Sequence, residues 1–312
     1  MTIKKAIITG SNGLVGKSLT KLLTNVWPLS RKWDLSSQED TRSIFSTVMS
    51  DPALDYEIYH LAAKVGGVGA NQNYLGDFFT QNILINTNVL EIAKKLKVKK
   101  LLSLASTCVY PKDAEQPLKE KDLHNGWPHE TNYAYAFAKR MLHVQSMAYR
   151  EQYGCNFVVA VPTNVFGPED NFHLENAHAI PAIIHKIYLA KKNNQDSVEL
   201  WGDGRQERDF IYVDDLSRAL ILVMEKYNDK EPINIATGKD VSIDYIVGII
   251  VKSLKYTGKI KWSEQNKGIE KKSVDITKIS KIGWEPKISI ETGLEVTCNW
   301  FMTYYPKVRG AK

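Results

Sequence analysis

The 312-residue sequence predicts an α/β fold, a doubly wound parallel sheet with a smaller mixed α/β lobe in the C-terminal half. Three observations lead there. Short apolar runs alternate with helix-length segments through the first half of the chain, the pattern of a parallel sheet covered on both faces. Three glycines stand directly behind the first run, and after Val165 the alternation gives way to long loops such as FGPEDNFHLENAH and WGDGRQERD.

Taken in order, the β-branched run Lys4 to Thr9 (KKAIIT) is the first strand, followed by a glycine-rich turn and a helix-like segment through Leu23. The pattern continues with the strand VWPLS, a helix from about Ser36, the strand EIYHLAA and a helix from about Leu75 to Leu96. Then come the strand KKLLSLAS, a helix around Tyr135 to Tyr153 and the strand NFVVAVPTNV. FIYVDDLSRALILVMEKY reads as a strand end passing into a helix that returns to the first lobe, with Asp214 or Asp215 as its N-cap. This division gives residues 1–165 and about 209–240 to the first lobe, and about 166–208 and 241–312 to the second. The aromatic tail TCNWFMTYYP has helical spacing and is expected to pack the second lobe or a dimer contact.

Composition narrows the function. With 43% hydrophobic and 24% charged residues the chain can bury a core. No apolar run reaches the roughly 18 residues that span a bilayer, and the N-terminus carries no cleavable signal pattern, so the expected place is the cytoplasm, without a membrane. Cys108, Cys155 and Cys298 are far apart and in no CxxC pattern, so neither a disulfide framework nor a metal site is expected. The formal charge of +6 is spread along helix-like segments rather than gathered in a basic tract, which reads as solvated surface and not as a nucleic-acid face.

Gly10, Gly13 and Gly16 are spaced GxxGxxG between the first strand and the first helix. Glycines there permit a tight turn and close backbone approach, and the helix N-terminus offers N–H groups to a pyrophosphate. This is the dinucleotide-binding position of a Rossmann-type sheet, so the loop Gly10, Ser11, Asn12, Gly13, Leu14, Val15 and Gly16 is expected to hold a nicotinamide cofactor. At the end of the second strand, Arg31 and Lys32 suit the 2′-phosphate of NADP, with Asp34 close by as an alternative ribose ligand.

Tyr135 and Lys139 lie four residues apart, on one face of a helix. Together with Ser106 and the glycine loop they resemble the Ser-Tyr-Lys set of the extended short-chain dehydrogenase/reductase superfamily. The chemistry suits hydride addition to a ketone, which leaves charge on an oxygen that must be hydrogen-bonded and protonated. An ammonium about 4 Å from the phenol, at an effective dielectric near 20, favours phenolate by roughly 4 kcal/mol, so Lys139 is expected to draw Tyr135 toward neutrality.

Reduction alone gives no role to Cys108. If the ketone sits at C4 of a sugar, the hydrogens on C3 and C5 are acidic, and inversion needs one group to remove a proton and another to return one. A cysteine and a histidine suit that work, and His178, in the loop PTNVFGPEDNFHLENAHAIP, is the candidate partner. Strand alternation would project Ser106 and Cys108 to the same side. Epimerisation must come first, because reduction removes the carbonyl that acidifies those carbons.

At this point the chain resembles the GDP-L-fucose synthase family almost end to end, in TGSNGLVGK, HLAAKVGGVGANQNY, STCVYP, HNGWPH, YAFAKRM, PTNVFGPEDNF, AHAIPAIIHK, WGDG and DFIYVDDL. The resemblance implies Ser106, Tyr135 and Lys139 as the reductase set and Cys108 and His178 as the epimerase pair. It implies that Leu61, Ala62, Ala63, Lys64, Pro162, Asn164, Val165 and His178 line the cofactor cleft. It implies that Trp201, Arg208 and Lys272 hold the GDP portion of the substrate, with Asn164, Asn171 and Lys186 nearby, and that the chain is a homodimer. Two departures stand out. Ser11 and Asn12 occupy positions where the family commonly has an arginine or a small residue, and Lys267 stands where an aspartate is expected. A sugar 4,6-dehydratase would place an Asp-Glu pair where this chain has Cys108 and Val109; a related enzyme of GDP-keto-heptose or dideoxy sugars such as colitose leaves no mark that tells it apart.

Overall fold

The computed structural model describes residues 4–263 and 270–311. Its first half runs β1 (Lys4–Thr9), α1 (Leu14–Leu22), β2 (Val26–Leu29), α2 (Gln38–Val48), β3 (Asp55–His60), α3 (Val68–Asn73), α4 (Leu75–Lys95), β4 (Lys100–Leu104), α5 (Tyr133–Tyr153) and β5 (Phe157–Pro162). There follow β6 (Asn164–Phe166), α6 (Ala179–Lys192), β7 (Ser197–Trp201), β8 (Glu207–Tyr212), α7 (Val213–Lys226) and β9 (Ile233–Ile235). The chain ends with β10 (Asp240–Ser242), α8 (Ile243–Leu254), β11 (Lys259–Ser263), β12 (Lys271–Lys272), α9 (Thr277–Lys281) and α10 (Ile290–Tyr304). The expected strand NFVVAVPTNV divides into β5 and β6, because its second part pairs with β8 instead of extending the first sheet.

Six parallel strands form the main sheet in the order β2-β1-β3-β4-β5-β9. Its residues are apolar on both faces because helices cover both. Ile7, Ile58 and Leu101 pack on one side with Ile44, Phe45, Val89, Leu90 and Leu142 of α2, α4 and α5. Ile8, Leu102 and Ala160 pack on the other with Leu19 of α1 and Leu216, Leu220 and Val223 of α7. Chain order reverses between β1 and β3, so the crevice beyond their carboxyl ends is the ligand position of such a sheet. A third core gathers Phe166, Ile180, Ile184, Leu200, Phe210, Ile246, Ile250, Leu294 and Phe301, so α10, with the aromatic tail, packs against α6 and α8.

Asp214 and Asp215 do not cap α7. The N-cap is Tyr212, without a side-chain cap bond, and both aspartates sit in the first turn. They face other segments: Asp214 accepts the Ser18 hydroxyl at 2.7 Å, while Asp215 accepts the Ile288 N–H at 2.8 Å and pairs with Arg218. Tertiary partners near the positive end of the helix have displaced the local cap. At the other end of α7, the buried Lys100 ammonium donates to the carbonyls of Val223, Met224 and Tyr227 at 3.0, 2.6 and 2.6 Å. Lys100→Met should destabilise the fold by about 1–3 kcal/mol, since those carbonyls lose a charged donor; urea unfolding measures this.

No helix among the described residues is long and apolar enough to cross a membrane.

Candidate active site

The glycine loop has the shape a dinucleotide needs. Gly10 has φ +71°, and a Cβ there would stand 2.8 Å from the Ala62 nitrogen. At Gly16 a Cβ would come within 2.4 Å of the Gly10 carbonyl oxygen and 2.6 Å of Ser11 Cα. Gly13 is the N-cap of α1 and offers no side chain to its N–H groups, which leaves them for a ligand. These features fit an anionic cofactor. Gly16→Ala should cost about 1–3 kcal/mol of stability, because backbone rather than a flexible side chain must yield, and weaken cofactor binding; thermal unfolding and an NADPH fluorescence titration read the two effects.

Around this loop, Arg31 and Lys32 follow β2 and are exposed. The Asp34 carboxylate is taken by its own turn, accepting from Ser36 N–H at 2.9 Å and Ser36 Oγ at 2.6 Å, which holds it below the usual carboxylate range. Leu14 and Val15 are partly buried against the cores.

Across the crevice, the HLAAK segment is set by a buried chain of polar groups. Thr9 Oγ1 accepts the N–H groups of Leu61 and Ala62, both at 3.1 Å, and lies 2.9 Å from His60 Nδ1. His60 Nε2 lies 3.1 Å from Asn86 Oδ1, and Asn86 donates to the carbonyl of Ala138 at 3.2 Å. Burial lowers His60 to about 3, so the ring stays neutral. Asn82 brackets Lys64 through its N–H and carbonyl, each at 3.0 Å; Ala63 lies between the two anchors. Sequence reading passed over Thr9, Asn82 and Asn86; a row of asparagines on the buried face of a helix, where apolar residues belong, was the available signal.

The catalytic candidates meet on α5 and the end of β4. The strand stops at Leu104, and Ser106 caps a 3₁₀ turn over Thr107–Val109. Ser106 and Cys108 are therefore neighbours by a turn and not by strand alternation: Ser106 Oγ accepts the Cys108 N–H at 3.5 Å. Lys139 donates to the Leu104 carbonyl at 2.9 Å, and its Nζ is 5.9 Å from the centre of the Tyr135 ring. Tyr135 is packed edge-on against Phe78, with centroids 6.3 Å apart. Arg140, next along the helix, ties the turn down by donating to the carbonyls of Val109 at 2.6 Å and Gly126 at 2.7 Å.

Electrostatics here correct one expectation. Burial, followed by the nearby Cys108, pushes the Tyr135 phenol up rather than toward neutrality. Lys139 is itself drawn down to about 8 by burial, with Cys108 opposing. Burial raises the Cys108 thiol, opposed by Ser106, Lys272 and Lys139. An enclosed site thus favours neutral partners until substrate charge develops.

His178 comes from another element, as the exposed N-cap residue of α6. Its electrostatic neighbour is Asp170, a buried carboxyl that burial raises and that accepts the Asn171 N–H at 2.7 Å. Asn171 Oδ1 accepts the His173 N–H at 3.3 Å, within that same loop. Pro162 ends β5; Thr163 and Asn164 both donate to the Asp209 carbonyl at 2.9 Å, and Val165 is half-buried in β6. Further out, the Lys186 ammonium lies 4.7 Å from the centre of the Trp201 ring, a face left half exposed. Arg208 and Lys272 are directly paired in the β8–β12 register. Lys267 lies outside the described residues.

Residues 6–236 match the model of the NAD dependent epimerase/dehydratase family. A GDP-L-fucose synthase of Dictyostelium discoideum is 36% identical over 318 residues, covering 98% of each chain. The chain belongs to the GDP-L-fucose synthase family. Among solved structures, a GDP-L-fucose synthetase of Naegleria fowleri bound to NADP superposes with a TM-score of 0.90 at 30% identity, covering 99% of this chain and 96% of that one. A GDP-D-glycero-L-gluco-heptose synthase of Campylobacter jejuni, with NADPH present, gives 0.88 at 26% identity over 97% and 99%. The GDP-L-fucose synthase family thus accounts for the glycine loop, the six-stranded sheet and the C-terminal lobe together.

Proposed function

We propose that the chain converts GDP-4-keto-6-deoxy-D-mannose to GDP-L-fucose, inverting C3 and C5 and then reducing C4 with NADPH. One observation carries the reading: a thiol, Cys108, held one turn from Ser106 and within electrostatic reach of Tyr135 and Lys139. A reductase has no use for it; an epimerase needs a proton-transfer group at that place.

In this reading Ser106 and Tyr135 hydrogen-bond the C4 oxygen, first as ketone and then as enolate while the adjacent carbons lose their protons. Cys108 and His178 exchange protons with C3 and C5, one taking and the other returning. NADPH, when bound, supplies the hydride that C4 receives. Tyr135 then gives its proton to the C4 oxygen, and Lys139 offsets the phenolate charge. Gly10, Ser11, Asn12, Gly13, Leu14, Val15 and Gly16 hold the cofactor pyrophosphate side. Arg31 and Lys32 face its 2′-phosphate, and Leu61, Ala62, Ala63, Lys64, Pro162, Asn164 and Val165 line its cleft. Trp201, Lys186, Arg208, Lys272 and Asn171 take the GDP, an aromatic face and a set of cations for a base and a diphosphate. Residues 1–165 with about 209–240 form the cofactor part, and the remainder the sugar-nucleotide lobe.

A cytoplasmic homodimer joined through α4 and α5 completes the reading, supported by Phe79, Leu84 and Val144, large apolar side chains left exposed on those helices. The likeness to the heptose synthase favours a GDP-4-keto-heptose as the second substrate to try. The test is incubation with GDP-4-keto-6-deoxy-D-mannose in deuterated water, with and without NADPH, read by NMR. Deuterium at C3 and C5 without cofactor, then GDP-L-fucose once NADPH is added, is the expected result. Cofactor oxidation with no exchange would reduce the chain to a 4-reductase.

A further inference from the structure

β12 aims its residues in two directions. Lys271 reaches Glu207 and Asp240 at 2.8 and 3.4 Å, and Ser273 donates to Asp240 on that same side. Alternation along an extended segment turns Lys272 and Val274 the other way. Val274 bridges to Leu118, and both pack in the cluster that Cys108 joins. Lys272 is therefore carried toward the thiol, and among the described residues its ammonium makes no hydrogen bond or ion pair.

From this geometry we infer that Lys272 is a positioning residue for proton transfer, the counter-ion in β12 that holds the Cys108 thiolate. Lys272 and Cys108 are both half-buried; an ammonium drawn out of water without a carboxylate is costly unless an anion faces it, and a thiolate drawn out of water needs a cation beside it. Burial pulls Lys272 down to about 8, with Cys108 opposing that shift and Arg208 adding to it. Among the described residues, the charged and titratable groups around the thiol are Tyr135, Lys139 and Arg140 from α5 and Lys272 from β12. Lys139 and Arg140 already donate to the Leu104, Val109 and Gly126 carbonyls, whereas Lys272 is not so engaged. The role of Lys272 in turnover rests on the epimerase reading proposed above; its effect on the thiol does not.

The test is alkylation of Cys108 by iodoacetamide against pH in the ligand-free protein, followed by peptide mass spectrometry in a Cys155→Ser background. In Lys272→Met the half-maximal pH should rise by about one unit, roughly a tenfold loss of thiolate near neutrality. Lys272→Arg should restore the original profile, and C3 and C5 exchange should follow the thiolate. Lys272→Gln replaces the methionine variant if that one fails to bind NADPH. An unchanged alkylation profile, with only a raised KM for the GDP-sugar, would overturn the inference and leave Lys272 as a diphosphate ligand alone. Absence of exchange in the unaltered protein would instead defeat the epimerase reading, while the alkylation profiles still judge the pair.

Discussion

Tyr135→Phe is expected to lower C4 reduction by about 10²- to 10⁴-fold, the usual worth of a positioned general acid, while deuterium exchange at C3 and C5 falls less, because Ser106 still donates to the enolate oxygen. In the proposed mechanism the hydroxyl delivers the proton, and its removal leaves the ring packed against Phe78. Folding should be little changed, because the tyrosine oxygen has no hydrogen-bond partner among the described residues. The pH profile carries the same argument with a sign. Lys139, drawn down to about 8, is charged below that pH and neutral above it. The kcat/KM for reduction should therefore fall as pH rises through about 8, since the phenolate formed at proton delivery loses its cation. Single-turnover NADPH oxidation, with NMR of the exchanged sugar, separates the two half-reactions. Full reduction in the phenylalanine variant would remove Tyr135 from the mechanism.

Cys108→Ser is expected to suppress exchange at C3 and C5 by about 10²-fold or more, with cofactor affinity unchanged. A serine hydroxyl keeps the size and the place in the 3₁₀ turn, but it is a far weaker acid than a thiol, and burial raises even the Cys108 thiol against the opposing pull of Ser106, Lys272 and Lys139. GDP-sugar already inverted at C3 and C5 should still be reduced by this variant. If exchange in it matched the unaltered protein, the proton transfer would belong to another group.

Much of this candidate site is legible in the sequence. The glycine spacing, the Tyr135-Lys139 interval and the hydroxyl and thiol behind an apolar strand are local patterns, weak singly and specific only in combination. The parallel sheet follows from apolar runs alternating with helix-length segments, because a strand covered on both faces must be apolar on both; the order of its strands came only with the structure. What sequence reading misplaced was set by distant partners. Asp214 and Asp215 had the composition of caps, yet Ser18 and the backbone of Ile288 claimed them. Ser106 and Cys108 were read as strand neighbours, whereas the strand ends two residues earlier and a turn sets their relation.

The order of elements, the cofactor loop and the candidates for the reductive set were thus written in residue type and interval, because turns, helix faces and strand faces are short-range geometry. The state of the phenol, the Thr9-His60-Asn86 chain, the Arg140 tether and the approach of Lys272 to Cys108 were not. Each depends on burial and on which remote side chain lies across the gap, and both arise only when segments far apart in the chain are packed together.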